Sequence, residues 1–284
     1  MGNVGMCSLC QQSRALTFEH IPPRRVFNHA PAVAHTLDGL MLGSKFKKPP
    51  VLQKSPRGLG RTSLCADCNG LTAKYYGAAF AAWTTQCLRY ADHVARGSKF
   101  LLPYRIEPLA VLKQVATMIL AASGESAHSA TIDALRQFIL SPMSSRYPAS
   151  VDIVCYMNPR DERRVTHPTL TQNRLSGSCA VLDVSAGASV FVIGEVAFPP
   201  MGYAAYLDIG TRVSDDFASL CHINRFAQWG YGSFAEFHMQ MPVRRPFGPV
   251  PGYYPELGRG GVPILDDNHI VVTTRPDTAC TPRG

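Results

Sequence analysis

The chain has 284 residues, 46% hydrophobic and 17% charged, enough to bury a core as one large domain or two small ones. No run of about 18 apolar residues occurs, so no transmembrane helix is expected. Met1–Met6 shows neither the basic start and apolar stretch of a secretory leader nor the Ser/Thr that myristoylation prefers, which points to the cytoplasm, where thiols stay reduced.

The net charge of +8 is unevenly held. Residues 1–105 carry 14 Lys/Arg against 4 Asp/Glu, a net +10, whereas residues 106–284 carry 14 against 16, a net −2. A basic leading portion suits a polyanionic partner, most simply nucleic acid.

In chain order, residues 1–30 read as a zinc knuckle followed by a short strand. Cys7 and Cys10 form the first Cys-x-x-Cys pair. In the strand, Leu16, Phe18 and His20 share one face and Thr17 and Glu19 the other, until Pro22-Pro23 ends it. Residues 31–63 read as a long loop in which Lys45, Lys47, Lys48, Lys54, Arg57 and Arg61 meet no acidic residue after Asp38. So long a connection is usually functional or mobile, and contact with phosphates and plain solvation are the two readings of its charge.

The second pair, Cys65 and Cys68, follows, with Asn69 next to it. Each Cys-x-x-Cys turn offers two thiolates to one ion, and two such turns complete a closed tetrahedral zinc site. Such a site holds structure, so the chemistry is expected from what it positions: Glu19, His20 and Asn69. A neutral imidazole can take a proton from water, while a carboxylate and an amide oxygen can ligate a hard divalent ion.

From about 71 to 95 the spacing of Tyr76, Phe80, Trp83, Cys87 and Tyr90 predicts one helix with a core-facing aromatic stripe. Two more helices are predicted over about 107–122 and 129–140. After Pro148 the chain turns to β-type runs over Val151–Met157, Ala180–Val184, Val190–Phe198, Tyr203–Ile209, Phe234–Val243 and His269–Thr274. Helices first and mostly antiparallel strands after give an α+β fold. The division expected is 1–105 as the cysteine-bearing module and 106–284 as an α+β accessory domain for target recognition or dimerisation. The remaining cysteines, Cys87, Cys155, Cys179, Cys221 and Cys280, lack pair spacing and read as small buried hydrophobes.

The pattern Cys7-x-x-Cys10, Glu19-His20-Ile21-Pro22, Leu64-Cys65-x-x-Cys68-Asn69 resembles the HNH endonuclease family, whose fold is a ββα-metal finger. Tyr75-Tyr76-Gly77-Ala78-Ala79-Phe80 with Trp83 is similar to a helix in one zinc-bearing branch of that family. The resemblance covers about residues 7–90. It implies a metal-dependent endonuclease that hydrolyses phosphodiester bonds, in double-stranded DNA above all, in a setting such as restriction or anti-phage defence.

In that reading His20 is the general base, and Glu19 and Asn69 hold a catalytic Mg²⁺ or Mn²⁺. The Zn²⁺ on Cys7, Cys10, Cys65 and Cys68 stays structural. Arg24, Arg25 and Lys74, with the basic residues of the 31–63 loop, would grip the nucleic-acid backbone. Where many members carry an Asn about five residues before the third Cys, this chain has Gly60, so bracing of the finger is expected from elsewhere. The rival reading is a catalytically inert zinc finger that only binds nucleic acid. Neither reading fixes the oligomeric state, and a homodimer stays open.

Overall fold

A computed structural model describes residues 3–29, 32–36, 53–91, 93, 99–123, 129–158, 163–166, 180–181, 191–207, 220–243 and 270–273. Helices and antiparallel sheets are both present, so the fold is α+β. Strand β1 (Val4–Met6) pairs with β2 (Ser13–His20), and β2 pairs in turn with β5 (Gly60–Cys65). Helix α1 (Ala66–Tyr75) begins at the residue after β5, and α2 (Gly77–Ala91) follows it. The single helix expected over 71–95 is therefore two, parted at Tyr76 (φ −121°, ψ −27°), whose ring is buried and whose phenol donates to the Ile139 carbonyl.

Helix α3 (Pro108–Ser123) lies close to its expected position, and so does α4 (Ala130–Leu140), where Ser129 Oγ accepts from Ile132 N at 3.2 Å. Helix α3 is the hub. Leu109, Leu112, Val115, Ile119 and the alanines between them are all buried, and so are the polar Lys113, Gln114 and Thr117, so the helix is enclosed on every side. It packs against α1, α2, α4 and β5, and also against β8 (Arg163–Thr166), β10 (Phe191–Phe198) and β11 (Met201–Leu207).

The expected strands after Pro148 are present. Strand β7 (Val151–Met157) pairs with β11 over its whole length, and β10 and β11 form a hairpin about Pro199-Pro200. Among the described residues they belong, with β8, to a nine-stranded sheet completed by β9 (Ala180–Val181), β12 (Cys221–His222), β14 (Ile270–Thr273), β3 (Ala32–Thr36) and β4 (Gln53–Ser55). Its path runs β12-β7-β11-β10-β8-β14-β3-β4, with β9 beside β10.

Two findings correct the sequence reading. The stretch 31–63 is not loop throughout: β3 and β4 lie within it, and β3 pairs with β14 from the far end of the chain. The proposed boundary at 105/106 falls inside β6 (Lys99–Ile106), which pairs along its whole length with β13 (Ala235–Pro242). One buried cluster runs from Cys7 and Leu64, through Trp83 and Leu112, to Tyr203 and Met241. Trp83 Nε1 donates to Tyr203 Oη at 2.7 Å across that boundary. The two portions share a core because α3 has apolar faces on both sides and leaves neither portion a closed surface of its own.

Candidate functional site

The first cysteine pair sits in a tight turn between β1 and β2. Cys7 N donates to Gln12 O at 3.0 Å, Gln11 N donates to Cys7 O at 3.0 Å, and Gln11 takes a positive φ of 55°. The second pair spans the step from β5 into α1. The register of β2 and β5 slips by one residue at Ser63, and the Ser63 carbonyl accepts from Ser8 N at 2.9 Å, which docks one cysteine turn on the other. Cys65 N donates to Cys7 Sγ at 3.3 Å.

All four sulfurs lie within 4.8 Å of one another, with Cys10 Sγ and Cys65 Sγ 3.9 Å apart. Metal–sulfur bonds of about 2.3 Å in a tetrahedron set sulfur–sulfur edges near ~3.8 Å, so the cluster has the right size. It can hold a metal ion such as zinc. The thiols already crowd each other electrostatically: the hydrogen bond from Cys68 draws Cys7 down to about 4, and that same pairing pushes Cys68 up. Four adjacent thiolates need a cation to ionise together.

Glu19, His20 and Asn69 meet at one cavity of about 240 Å³, which is also lined by Phe18, Pro23, Arg24, Arg25, Thr72, Ala73, Gly77 and Gln114. The end of β2 supplies the acidic and imidazole groups, and the first turn of α1 supplies the amide. Asn69 is held by a relay in which its Nδ2 donates to Thr17 Oγ1 at 3.1 Å and Thr17 Oγ1 donates to Leu64 O at 2.9 Å. That leaves the amide oxygen as the free end of the side chain.

Glu19 is 7% exposed, while its neighbour Phe18 is 37% exposed, so at this strand end the carboxylate rather than the aromatic ring turns inward. Burial alone lifts Glu19 from 4.5 to about 7. A buried carboxylate with no ion-pair partner among the described residues suits a site that receives a cation.

His20 is oriented by two contacts. Its ring meets Phe18 edge-on, with centroids 5.1 Å apart, and its Nε2 lies 3.1 Å from the Arg57 carbonyl. A carbonyl can only accept, so Nε2 carries the hydrogen of this bond and Nδ1 keeps the lone pair of the neutral ring.

The carbonyl that orients His20 sits on a clamped turn. Asn28 Nδ2 donates to Pro22 O at 2.6 Å and to Leu59 O at 2.7 Å, and Leu59 N donates to Asn28 Oδ1 at 2.7 Å. Ile21 N adds a bond to Leu59 O at 3.0 Å. Between Arg57 and Leu59, Gly58 has φ 109°, and a Cβ there would lie 2.3 Å from the Asn28 carbonyl oxygen, so only glycine fits. Asn28, 2% exposed, is the brace that Gly60 does not provide.

The basic residues divide. Arg24 and Arg25 are exposed and border the cavity. Arg57 is exposed on its turn. Lys74, exposed in the last turn of α1, stands 5.0 Å from the Tyr75 ring centroid. Arg61 instead turns inward: its guanidinium donates to Ala122 O at 2.7 Å, and burial lowers its pKa. That bond ties β5 to the C-terminal end of α3 and commits Arg61 to packing rather than to the open surface. Lys45, Lys47 and Lys48 lie outside the described residues, and Lys54 is placed only as a backbone position on β4.

Sequence reasoning missed Asn28 and Gln114. Asn28 gives no local signal, because its partners include a residue 31 positions away. Gln114 had one: with Lys113 it interrupts an otherwise apolar run over Leu109–Val115. Cys87, Cys155 and Cys221 are buried as expected, whereas Cys179 and Cys280 lie outside the described residues. No helix of the described residues is long and apolar enough to cross a membrane. No protein-family model, curated protein or solved structure matches the chain.

Proposed function

We propose that this chain is a metal-dependent endonuclease of the HNH type, with a structural Zn²⁺ on Cys7, Cys10, Cys65 and Cys68. The observation that carries the reading is the convergence of Glu19, His20 and Asn69 on one cavity beside the four-cysteine cluster. The order strand, clamped turn, strand, helix over β2, β5 and α1 is what a ββα-metal finger requires. An inert zinc finger has no use for an uncompensated buried carboxylate beside an oriented imidazole.

Glu19 and the Asn69 amide oxygen would hold Mg²⁺ or Mn²⁺, both of which take oxygen ligands. When bound, the ion supplies Lewis acidity to the scissile phosphate and the leaving oxygen. His20 Nδ1 accepts a proton from water, and the resulting hydroxide attacks phosphorus. The P–O bond to the leaving oxygen breaks, and that oxygen takes a proton from solvent. The Arg57 carbonyl holds the imidazole in the basic tautomer and stabilises the imidazolium that forms. Arg24 and Arg25, exposed at the border of the cavity, would contact flanking phosphates of a DNA backbone.

The test is nicking of supercoiled plasmid by the full-length, zinc-loaded chain with Mg²⁺ or Mn²⁺. His20→Ala should lose about 10²–10⁴-fold in rate, the usual worth of a general base, with zinc content and melting temperature unchanged. A fully active His20→Ala protein would place the chemistry elsewhere.

A further inference from the structure

Gln114 is 1% exposed, and among the described residues its Oε1 has no hydrogen-bond partner. It projects from α3, whose neighbouring residues Val115 and Ala116 are fully buried, yet it lines the cavity shared by Glu19 and Asn69. Buried amide oxygens are nearly always matched by a donor, so an orphaned one at a cavity wall marks a group that arrives from outside. Two further side chains of the cavity can offer it a carboxylate or amide oxygen. Glu19 is 7% exposed, and Asn69 commits an amide hydrogen to Thr17 Oγ1, which leaves its amide oxygen for another partner. A buried carboxylate and two carboxamide side chains, brought to one cavity by β2, α1 and α3, offer the oxygen ligands that a hard divalent cation takes.

We propose that Gln114 Oε1 is a third protein ligand of the divalent ion held by Glu19 and Asn69, so that α3 completes a metal site begun by β2 and α1. This rests on reading the cavity as a divalent-cation site. It also gives the carboxy-terminal portion a direct part in the chemistry, beyond target recognition or dimerisation. Arg24 and Arg25 border the same cavity and are exposed, so they would be available to a phosphate that such an ion receives.

The test is Mn²⁺ titration of full-length, zinc-loaded protein, with free Mn²⁺ read by electron paramagnetic resonance and no nucleic acid present. Wild type should bind one Mn²⁺ and Glu19→Gln should lose it. Gln114→Leu, which keeps the bulk and removes the oxygen, should weaken binding at least about tenfold, since even outer-shell losses cost that much. Gln114→Glu restores an oxygen with full charge and should bind more tightly than wild type.

If Gln114→Leu binds Mn²⁺ as wild type does while Glu19→Gln does not, the cation site stands and the role of Gln114 falls. If wild type binds no Mn²⁺, both fall together. Should Gln114→Leu fail to fold, Gln114→Glu decides alone, and an affinity equal to wild type overturns the assignment.

Discussion

Removing the charge of Glu19 should strengthen the fold while silencing the site. The carboxyl is 7% exposed, and burial holds its pKa at about 7 against an ordinary 4.5. A folded-state pKa above the unfolded value means that the native protein binds the proton more tightly. The protonated form is therefore the stable one: its contribution is intact below about pH 4.5 and is lost as pH rises through about 7. At ~1.4 kcal/mol for each unit of pH, the full loss above neutrality comes to roughly 3 kcal/mol.

Glu19→Gln mimics the protonated carboxyl. At pH 8, without divalent ions, it should be more stable than wild type by up to about 3 kcal/mol, and at pH 4 the two should coincide. The assay is urea unfolding of zinc-loaded wild type and variant across pH 4–8, taking the difference at each pH so that other titrations cancel. Saturating Mg²⁺ at pH 8 should recover part of the deficit in wild type alone. A difference that stays flat across the series would mean that Glu19 is solvated or already paired, and the cation argument would lose its foundation.

Three further outcomes are expected. Cys65→Ser should lower zinc from about one per chain and reduce the melting temperature sharply, because binding energy at a closed site is folding energy; elemental analysis with thermal melts reads both. Asn28→Ala removes three buried hydrogen bonds and leaves Leu59 N unpaired, a loss of about 2–4 kcal/mol. Activity under conditions where the variant stays folded should fall in kcat more than in KM, because the Arg57 carbonyl no longer fixes His20. Replacing Arg24 and Arg25 together with alanine should flatten the slope of log affinity against log salt by up to about 1.8, at about 0.9 for each phosphate contact. Binding should weaken alike on all sequences, and an unchanged slope would take DNA off this face.

The candidate site was legible where its residues are neighbours in sequence and obscure where they are not. Cysteine spacing marked the four-sulfur cluster, and Glu19-His20 and Cys68-Asn69 are adjacent pairs. Apolar spacing placed α3, α4, β7, β10, β11 and β13 to within a few residues, because each buries a face against the shared core. Strands β3 and β8 were not legible. Each meets β14 from the far end of the chain, so their strand state is set by tertiary pairing rather than by local composition. Arg61 looked like a phosphate contact because its loop is basic. Its real partner, the Ala122 carbonyl, is 61 residues away. The 105/106 boundary falls within β6, whose partner β13 is remote in sequence: Pro103 sits opposite His238.

The Asn28 clamp also bears on how such a chain can change over time. Its hydrogen bonds hold residues 28 and 59 side by side, so the chain between them is pinned at both ends next to the site, where Arg57 and Gly58 stay part of the turn that orients His20. Lengthening a segment whose ends are already pinned is cheap: each doubling costs only about 0.6 kcal/mol in closure entropy. The geometry of Glu19, His20 and Asn69 is thereby insulated from the size of what is inserted. Length added or trimmed between Asn28 and the Arg57 turn would leave the clamp that orients His20 in place.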